Sequence, residues 1–438
     1  MPDAPCPSTV QTAAGLSTTQ GIDTRFDFSS REVEVLRGLA KETAEIAASP
    51  TQAEKARLWT LHNDLRPCRP LLFCDPENGW NEIIPQSALL CADPLARVWE
   101  MTLRKEIFWG TEMGDDRVVT SFFNVPYHYE DTGWGLKGAK IGGDHGGAYA
   151  WEKPLRDYER DFPSLRFPEI RIDGDKSAEL MRLAEEVFGG ILQPRRHSAW
   201  WWTLGMTWEY ITLRGLDDFM LDMYDNPEWV HKTMAFLRDG TMAKLDFLES
   251  NGLLSGNHGD IYVGSGGFGW TGQLPPPGRE PGPPRCSDLW GFAESQETVG
   301  VSPEMFAEFI FPYQLPILER FGLNCYGCCE PVDGRWRIVK NVPRLRRVSA
   351  SAWVDVKTMA EALGPRYIYS SKPSPTPLSR AGADLASSRE YVRRVLEEGA
   401  KHGCHVELVM KDNHTLGGSA ANAVNWCRMA RKEIERHA

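Results

Sequence analysis

No run in this chain approaches the ~18 apolar residues that a membrane-spanning helix needs, so no span is expected. The first residues lack a charged segment leading into an apolar one, and no secretory signal is expected either. Basic charge is also in short supply: 49 Lys and Arg stand against 60 Asp and Glu, a formal net charge of -11. That balance argues against a nucleic-acid partner, which a basic patch would mark. Paired CxxC motifs are missing, which removes the usual closed structural zinc site. The glycine run Gly264-Ser265-Gly266-Gly267-Phe268-Gly269-Trp270 lacks GxGxxG spacing and does not lie between a strand and a helix, so it is assigned no nucleotide. No internal repeat is evident.

What is present fits a large globular protein. The 438 residues are 42% hydrophobic and can bury a substantial core. Ten cysteines without a small-scaffold spacing suit a reduced, cytoplasmic setting better than a disulfide framework. Sixteen tryptophans, several beside Gly and Pro, suggest aromatic walls around a cavity, although core aromatics are the plainer reading.

Residues 1 to about 28 read as a flexible leader, and helices follow from about Ser30 and Thr51. Leu71-Leu72-Phe73-Cys74 is a short apolar strand opening into Asp75-Pro76-Glu77-Asn78-Gly79-Trp80. Leu95 to Phe108 reads as helix and Val118 to Phe123 as strand. Residues 126–168 and 264–290 read as long insertions. Asn226-Pro227 marks the start of a long helix to about Ser250. After Ser302 the pattern becomes regular. Strands are expected over Leu323–Cys328, Arg347–Val354, Tyr367–Ser371 and Val406–Met410, alternating with helices. Such alternation indicates parallel βα units. It fits the second half of a (β/α)8 TIM barrel over residues 61–438, with 1–60 as an N-terminal helical extension. A doubly wound open sheet is the competing architecture.

In parallel barrels the reacting groups sit at the C-terminal ends of the strands. The four late strand ends are polar: Cys328-Cys329-Glu330, then Ser351 to Asp355 with Trp353, then Ser371-Lys372, and Lys411-Asp412-Asn413-His414-Thr415. Thiolates act as nucleophiles and bind soft or borderline metals, and a neighbouring carboxylate can ligate or take a proton. Adjacent cysteines also pack as small apolar residues, and a turn histidine such as His414 is commonly a surface group. Lys372 could neutralise an anionic substrate group or lie in solvent. His258 with Asp260 resembles an oriented general base, though a loop contact is commoner. Asp75, Glu77 and Asn78 could complete the opposite wall.

With these residues in place, the chain resembles the uroporphyrinogen decarboxylase superfamily over about residues 60 to 438, and within it the corrinoid-linked methyltransferase branch. The resemblance rests on Asp75-Pro76-Glu77-Asn78-Gly79-Trp80, Tyr326-Gly327-Cys328-Cys329-Glu330-Pro331, Ser371-Lys372-Pro373 and Met410-Lys411-Asp412-Asn413-His414-Thr415. It implies a (β/α)8 barrel. The arginine-rich RQAGR motif of the heme-pathway decarboxylases does not occur here. The methyltransferases hold zinc through His-x-Cys and a distant Cys; the corresponding Asn324-Cys325-Tyr326-Gly327-Cys328-Cys329 has no histidine. The substitutes the resemblance suggests as metal ligands are Cys328, Cys329, Glu330 and His414.

The resemblance thus implies a zinc-dependent methyltransferase moving a methyl group between a small molecule and a thiol or a corrinoid on a partner protein. His414, Lys411, Lys372 and Glu330 would be catalytic, and Asn78, Glu77, Trp80, His258 and Trp353 would contact substrate. Two other readings stand beside it: a metal-free lyase or decarboxylase of a small carboxylated metabolite, and a non-catalytic corrinoid- or ligand-binding barrel.

Overall fold

The computed structural model describes residues 27–138, 140–142 and 149–437. Most of the expected leader lies outside them. Eight parallel strands carry the architecture: β1 Leu71–Cys74, β2 Phe122–Val125, β3 Gln193–Arg196, β4 Trp290–Ala293, β5 Leu323–Tyr326, β6 Leu345–Ala350, β7 Ile368–Ser371 and β8 His405–Met410. Six form one sheet in the order β1-β8-β7-β6-β5-β4, and β2 pairs with β3 in a second. This is the order a (β/α)8 ring would follow, so the parallel α/β architecture matches the expectation. Closure does not: among the described residues neither β1–β2 nor β3–β4 is a strand pair.

Side chains and loops serve the two edges instead. At β1, Asp116 Oδ2 accepts Leu72 N at 2.8 Å, Asp115 Oδ2 accepts Cys74 N at 3.0 Å, and Asp116 N donates to Leu72 O at 2.8 Å. At β4, Asn257 Oδ1 accepts Trp290 N and its amide donates to Trp290 O, both at 2.9 Å, while Leu204 N donates to Phe292 O. Each buried backbone group left unpaired would cost about 1–3 kcal/mol, so such caps decide whether a buried edge is tolerable.

The helices start where the sequence says they should. Ser29 and Glu32 form a capping box on helix Ser30–Ala47, and Pro50 opens helix Pro50–Asn63 with Ser49 as its cap rather than merely ending the one before. Asn226 caps the 24-residue helix Pro227–Ser250 by position only; its side chain turns back to Asp222. Helices Val356–Leu363, Ala386–His402 and Ala420–His437 pack in succession behind β7, β8 and β1. Two strands escape the sequence reading. Gln193-Pro194-Arg195-Arg196 is polar, and Trp290-Gly291-Phe292-Ala293 adjoins the proline-rich loop.

The other face of the sheet buries charge. Cys325, Arg347, Ser370 and Glu407 lie across β5 to β8 in adjacent registers. The Glu407 carboxylate, fully buried, is 3.0 Å from Arg347 Nε and 3.1 Å from His62 Nε2, and accepts the Ser370 hydroxyl. Arg347 also donates to Asn63 Oδ1 at 2.6 Å. A hairpin, Tyr262–Val263 with Gly266–Phe268, lies over these groups. A Cβ on Gly266 would stand 2.4 Å from Ser370 Oγ and 2.8 Å from Glu407 Oε1. The glycine run thus serves close backbone approach to a buried polar network. It also places part of the expected 264–290 insertion against the core. The described parts of the 126–168 insertion pair as two antiparallel ribbons, Tyr129–Asp131 with Ile170–Ile172 and Lys140–Gly142 with Tyr149–Trp151.

Glu407→Gln should cost about 3–5 kcal/mol in chemical denaturation, because Arg347 is left as an unpaired buried charge. The double variant Glu407→Gln/Arg347→Met should cost clearly less than the sum of the two single changes. Simple additivity would show that the pair is not coupled. Burial opposes ionisation of Glu407, but Arg347 and His62 outweigh it and hold the carboxyl below its ordinary value of 4.5. The folded state therefore binds this proton more weakly than the unfolded state. Its stabilisation is complete above about pH 4.5 and declines as the pH falls below that.

Candidate functional site

Because the six strands are parallel and in register, the polar segments that follow them meet along one edge. Lys411 is the centre of that meeting. It follows β8 and is buried, with Nζ 2.6 Å from Asp412 Oδ1 and 3.8 Å from Cys328 Sγ. Cys328 follows β5 by two residues, after Gly327 at φ 93°, where a Cβ would stand 2.9 Å from Ser349 O. Its sulfur accepts from Ser265 Oγ at 3.3 Å and lies 3.7 Å from Cys329 Sγ. Cys329, half-buried, contacts Asp412 Oδ2 at 3.4 Å. Lys372 follows β7, is buried, and donates to Ser370 Oγ at 2.5 Å and Ser370 O at 3.3 Å. Ser370 passes its own proton towards Glu407, which ties this lysine to the buried charge below it.

These neighbours drive proton affinities apart. The Cys329 thiol beside Cys328 lowers the Cys328 thiol's affinity, and with the Lys411 ammonium it outweighs burial. Cys329 moves the other way, pushed up by Cys328 and by burial. Burial would discharge Lys411, but Cys328 and Asp412 keep it protonated well above the ordinary lysine range. Lys372 has no such anion in direct contact, and burial, aided by Lys411, brings it down to about 7 despite Glu407. Burial and the neighbouring Asp75 push Glu77 up to about 8, against the pull of Lys411. At neutral pH the edge holds a fixed cation, a lysine near its midpoint and a protonated carboxylic acid. Such divergence is how one site supplies both acid and base.

The structure sorts the residues expected from the sequence. Cys328, Cys329, Lys411, Lys372 and Glu77 surround this cluster. Glu330 does not offer its carboxylate to the thiols: one oxygen accepts Ser295 N and the other Cys328 N, both at 2.8 Å, bracing the loop. His414 is exposed, and its described contact is Asn78 Nδ2 at 3.5 Å, with Asn78 itself exposed. Trp80 is buried against Trp109, with ring centroids 4.5 Å apart, and its Nε1 donates to Asp75 Oδ1. Trp353 stands 79% exposed. The expected His258–Asp260 pair is not formed, since Asp260 accepts from Arg195 at 2.7 Å and Thr120 at 2.8 Å.

Zinc needs converging, deprotonated donors, four of them in a structural site and three with an open position in a catalytic one. Cys328 faces an ammonium group, Glu330 has both oxygens engaged and His414 lies outside. The expected ligand set, as arranged, does not fit a zinc ion. Among the described residues no group of three His, Cys, Asp or Glu side chains is placed to hold a metal.

Sequence reasoning overlooked Ser265, Tyr262 and Glu294. The hairpin delivers the first two: Tyr262, its hydroxyl buried without a hydrogen-bond partner, has Lys411, Asp75, Glu77 and Cys328 as its charged neighbours. The available signal was the glycine run, read for its spacing and not for the close approach that glycine permits. Tyr262 also lines an aromatic cavity of about 80 Å³ with Trp200, Trp201, Trp202, Trp290 and Phe292, as the tryptophan count suggested.

No protein-family profile matches this chain, and no curated protein matches it. Among solved structures, one described as a methyltransferase from Methanosarcina mazei is similar, at 10% identity and a TM-score of 0.48. The alignment covers 87% of this chain and 99% of that one. A likeness this loose carries no assignment of activity. The site itself must supply one.

In a pH titration followed at 240 nm, Cys328→Ser should remove a thiolate signal whose midpoint lies below that of an ordinary cysteine. Lys411→Met should shift its midpoint upward by one unit or more, on the order of a tenfold loss of thiolate. An identical titration in the Lys411 variant would show that the ammonium does not stabilise the sulfur.

Proposed function

We propose that this protein is a metal-independent lyase or decarboxylase of a small carboxylated metabolite, working at the strand-end edge around Lys411. The observation that carries the reading is the grouping of a permanently charged Lys411, a near-neutral Lys372 and a protonated Glu77 beside one another. Lys411 holds the substrate's anionic group and, later, the negative charge that develops when a bond to carbon breaks. In a decarboxylation the C–C bond breaks, carbon dioxide leaves, and the electron pair left on the substrate takes the Glu77 proton. In an elimination the free amine of Lys372 takes the proton from carbon, and the C–H electron pair forms the double bond as the bond to the leaving group on the adjacent carbon breaks. The leaving group departs with the pair of the broken bond and takes the Glu77 proton.

A second reading keeps the methyl transfer implied by the sequence resemblance, between a small molecule and a thiol or a corrinoid carried by a partner. The Cys328 sulfur beside Lys411 favours it, as a buried thiol whose proton affinity is lowered towards the nucleophilic form. The two readings differ in which residue is indispensable.

Small carboxylic acids should be screened for carbon dioxide release and for solvent-deuterium incorporation. Glu77→Gln should lower kcat by roughly 10²–10⁴-fold. Activity should fall as the pH rises through about 8, where Glu77 loses its proton, and an elimination should also fall below about 7, where Lys372 is protonated. Turnover that survives Glu77→Gln but stops with Cys328→Ser would replace the lyase reading by group transfer.

A further inference from the structure

Opposite Lys411 the edge is acidic, and nothing in the mechanism so far uses it. Glu294 directly follows β4, whose last residue Ala293 is in register with Tyr326 of β5; Gly327 N donates to Ala293 O. This sets Glu294 level with the loop that carries Cys328. Its side chain is completely buried. One oxygen accepts Gln296 N at 2.8 Å, while the other, Oε1, has no hydrogen-bond partner. Glu297 stands next to it, accepting Thr207 Oγ1 at 2.7 Å and Gln296 Nε2 at 3.3 Å. The charged neighbours of Glu294 are Glu297, Glu330 and Cys328. Among the described residues no lysine, arginine or histidine pairs with Glu294 or Glu297.

A buried carboxyl oxygen with no partner costs stability unless something else completes it. Across the same thiol, Lys411 offers a cation to a ligand's anionic group. We propose that the site takes a zwitterion, a small molecule bearing both an ammonium and a carboxylate group, with Glu294 and Glu297 receiving the ammonium and Lys411 the carboxylate. This names the substrate class of the lyase reading and rests on it for the role of Lys411. Burial and the neighbouring acids raise the proton affinity of Glu294 well above that of an ordinary carboxyl, and an ammonium group bound beside it would lower that affinity and favour proton release.

Calorimetry on the full chain can test this with glycine, L-alanine and L-serine, each beside its matched acid (acetate, propionate, 3-hydroxypropionate) and amine (methylamine, ethylamine, ethanolamine). At least one amino acid should bind roughly tenfold or more tighter than either of its halves. Its binding heat should differ between phosphate and Tris buffers, in the direction of proton release. Glu294→Gln should remove that preference while leaving the matched acid's affinity unchanged, and Glu297→Gln serves as the second variant if the first does not fold. The proposal is overturned if no amino acid binds better than its acid, including the case where nothing binds, or if both variants bind as the parent does. If acids still bind in a manner that Lys411→Met abolishes, the lyase reading outlives this one. If Lys411→Met leaves acid binding intact, the lyase reading fails on its own.

Discussion

The buried Glu407 carboxylate is the constraint to which the rest of this structure answers. A charge taken so far from water must be met by partners, and here they arrive from every direction. Arg347 comes from β6, Ser370 from β7 and His62 from helix Pro50–Asn63. Breaking any one contact strands a polar group in the interior, so the relative placement of these elements is fixed more sharply than apolar packing alone would fix it. The covering hairpin follows from the same demand. It must approach the carboxylate closely, which only a backbone without side chains can do, and Gly266 and Gly267 meet that need. Once seated, the hairpin carries Ser265 to Cys328 and Tyr262 to the neighbourhood of Lys411. The reactive edge is thus positioned from below by a structural charge.

The same low-polarity setting governs the edge itself. Interactions between charges that water would screen become strong where the groups are buried. Lys411 and Lys372 show how a contact of a few ångströms decides the outcome. Lys411 touches Asp412 and lies against the Cys328 sulfur, and it keeps its proton. Lys372 touches only a hydroxyl and a carbonyl, with Glu407 one hydroxyl further away, and it loses much of its proton affinity. Two lysines at adjacent strand ends therefore serve different roles without any difference in their own chemistry. Cys328 and Cys329 divide in the same way, one favoured as thiolate because the other remains a thiol.

The late half of the fold was legible in the sequence because its strands are apolar, short and evenly separated by helices; β5 to β8 lie within a few residues of where the pattern puts them. The convergence of their polar ends follows from parallel order alone. Strand β2 was expected a few residues early, at Val118–Phe123, and lies at Phe122–Val125; β3 and β4 offered no comparable signal. Gln193–Arg196 forms only a two-stranded pair and stays polar, and Trp290–Ala293 is recognisable as strand only through its neighbours. The site residues divide similarly. Cys328, Lys372 and Lys411 immediately follow strands and could be found by position. Glu330 and His414 were near enough in sequence to be taken for ligands, but their side-chain direction is set by long-range contacts, with Ser295 N in one case and Asn78 in the other. Glu294 and the hairpin residues come from segments with no periodic pattern, and only the tertiary structure brings them to the thiol.

Backbone strain adds a last link between fold and chemistry. Glu77 and Asp412, neither of them glycine, occupy the left-handed region at φ 48° and 60°, each a conformation that costs about 1–3 kcal/mol. They follow β1 and β8, which are adjacent in the sheet, so the two strained turns lie side by side at its edge. The surroundings hold both in place: Asn413 donates to Asp75 O at 2.7 Å, and Gly79 N donates to Asn413 O. A relaxed turn at Asp412 would swing its carboxylate from Lys411, and a relaxed turn at Glu77 would carry its carboxyl out of the buried position beside Asp75 that raises its proton affinity. The strain therefore maintains both a charge and a proton where neither would persist in an exposed loop. It is offset by the packing of Trp80 and the β1–β8 ladder, which lie outside the reacting edge and can bear that load.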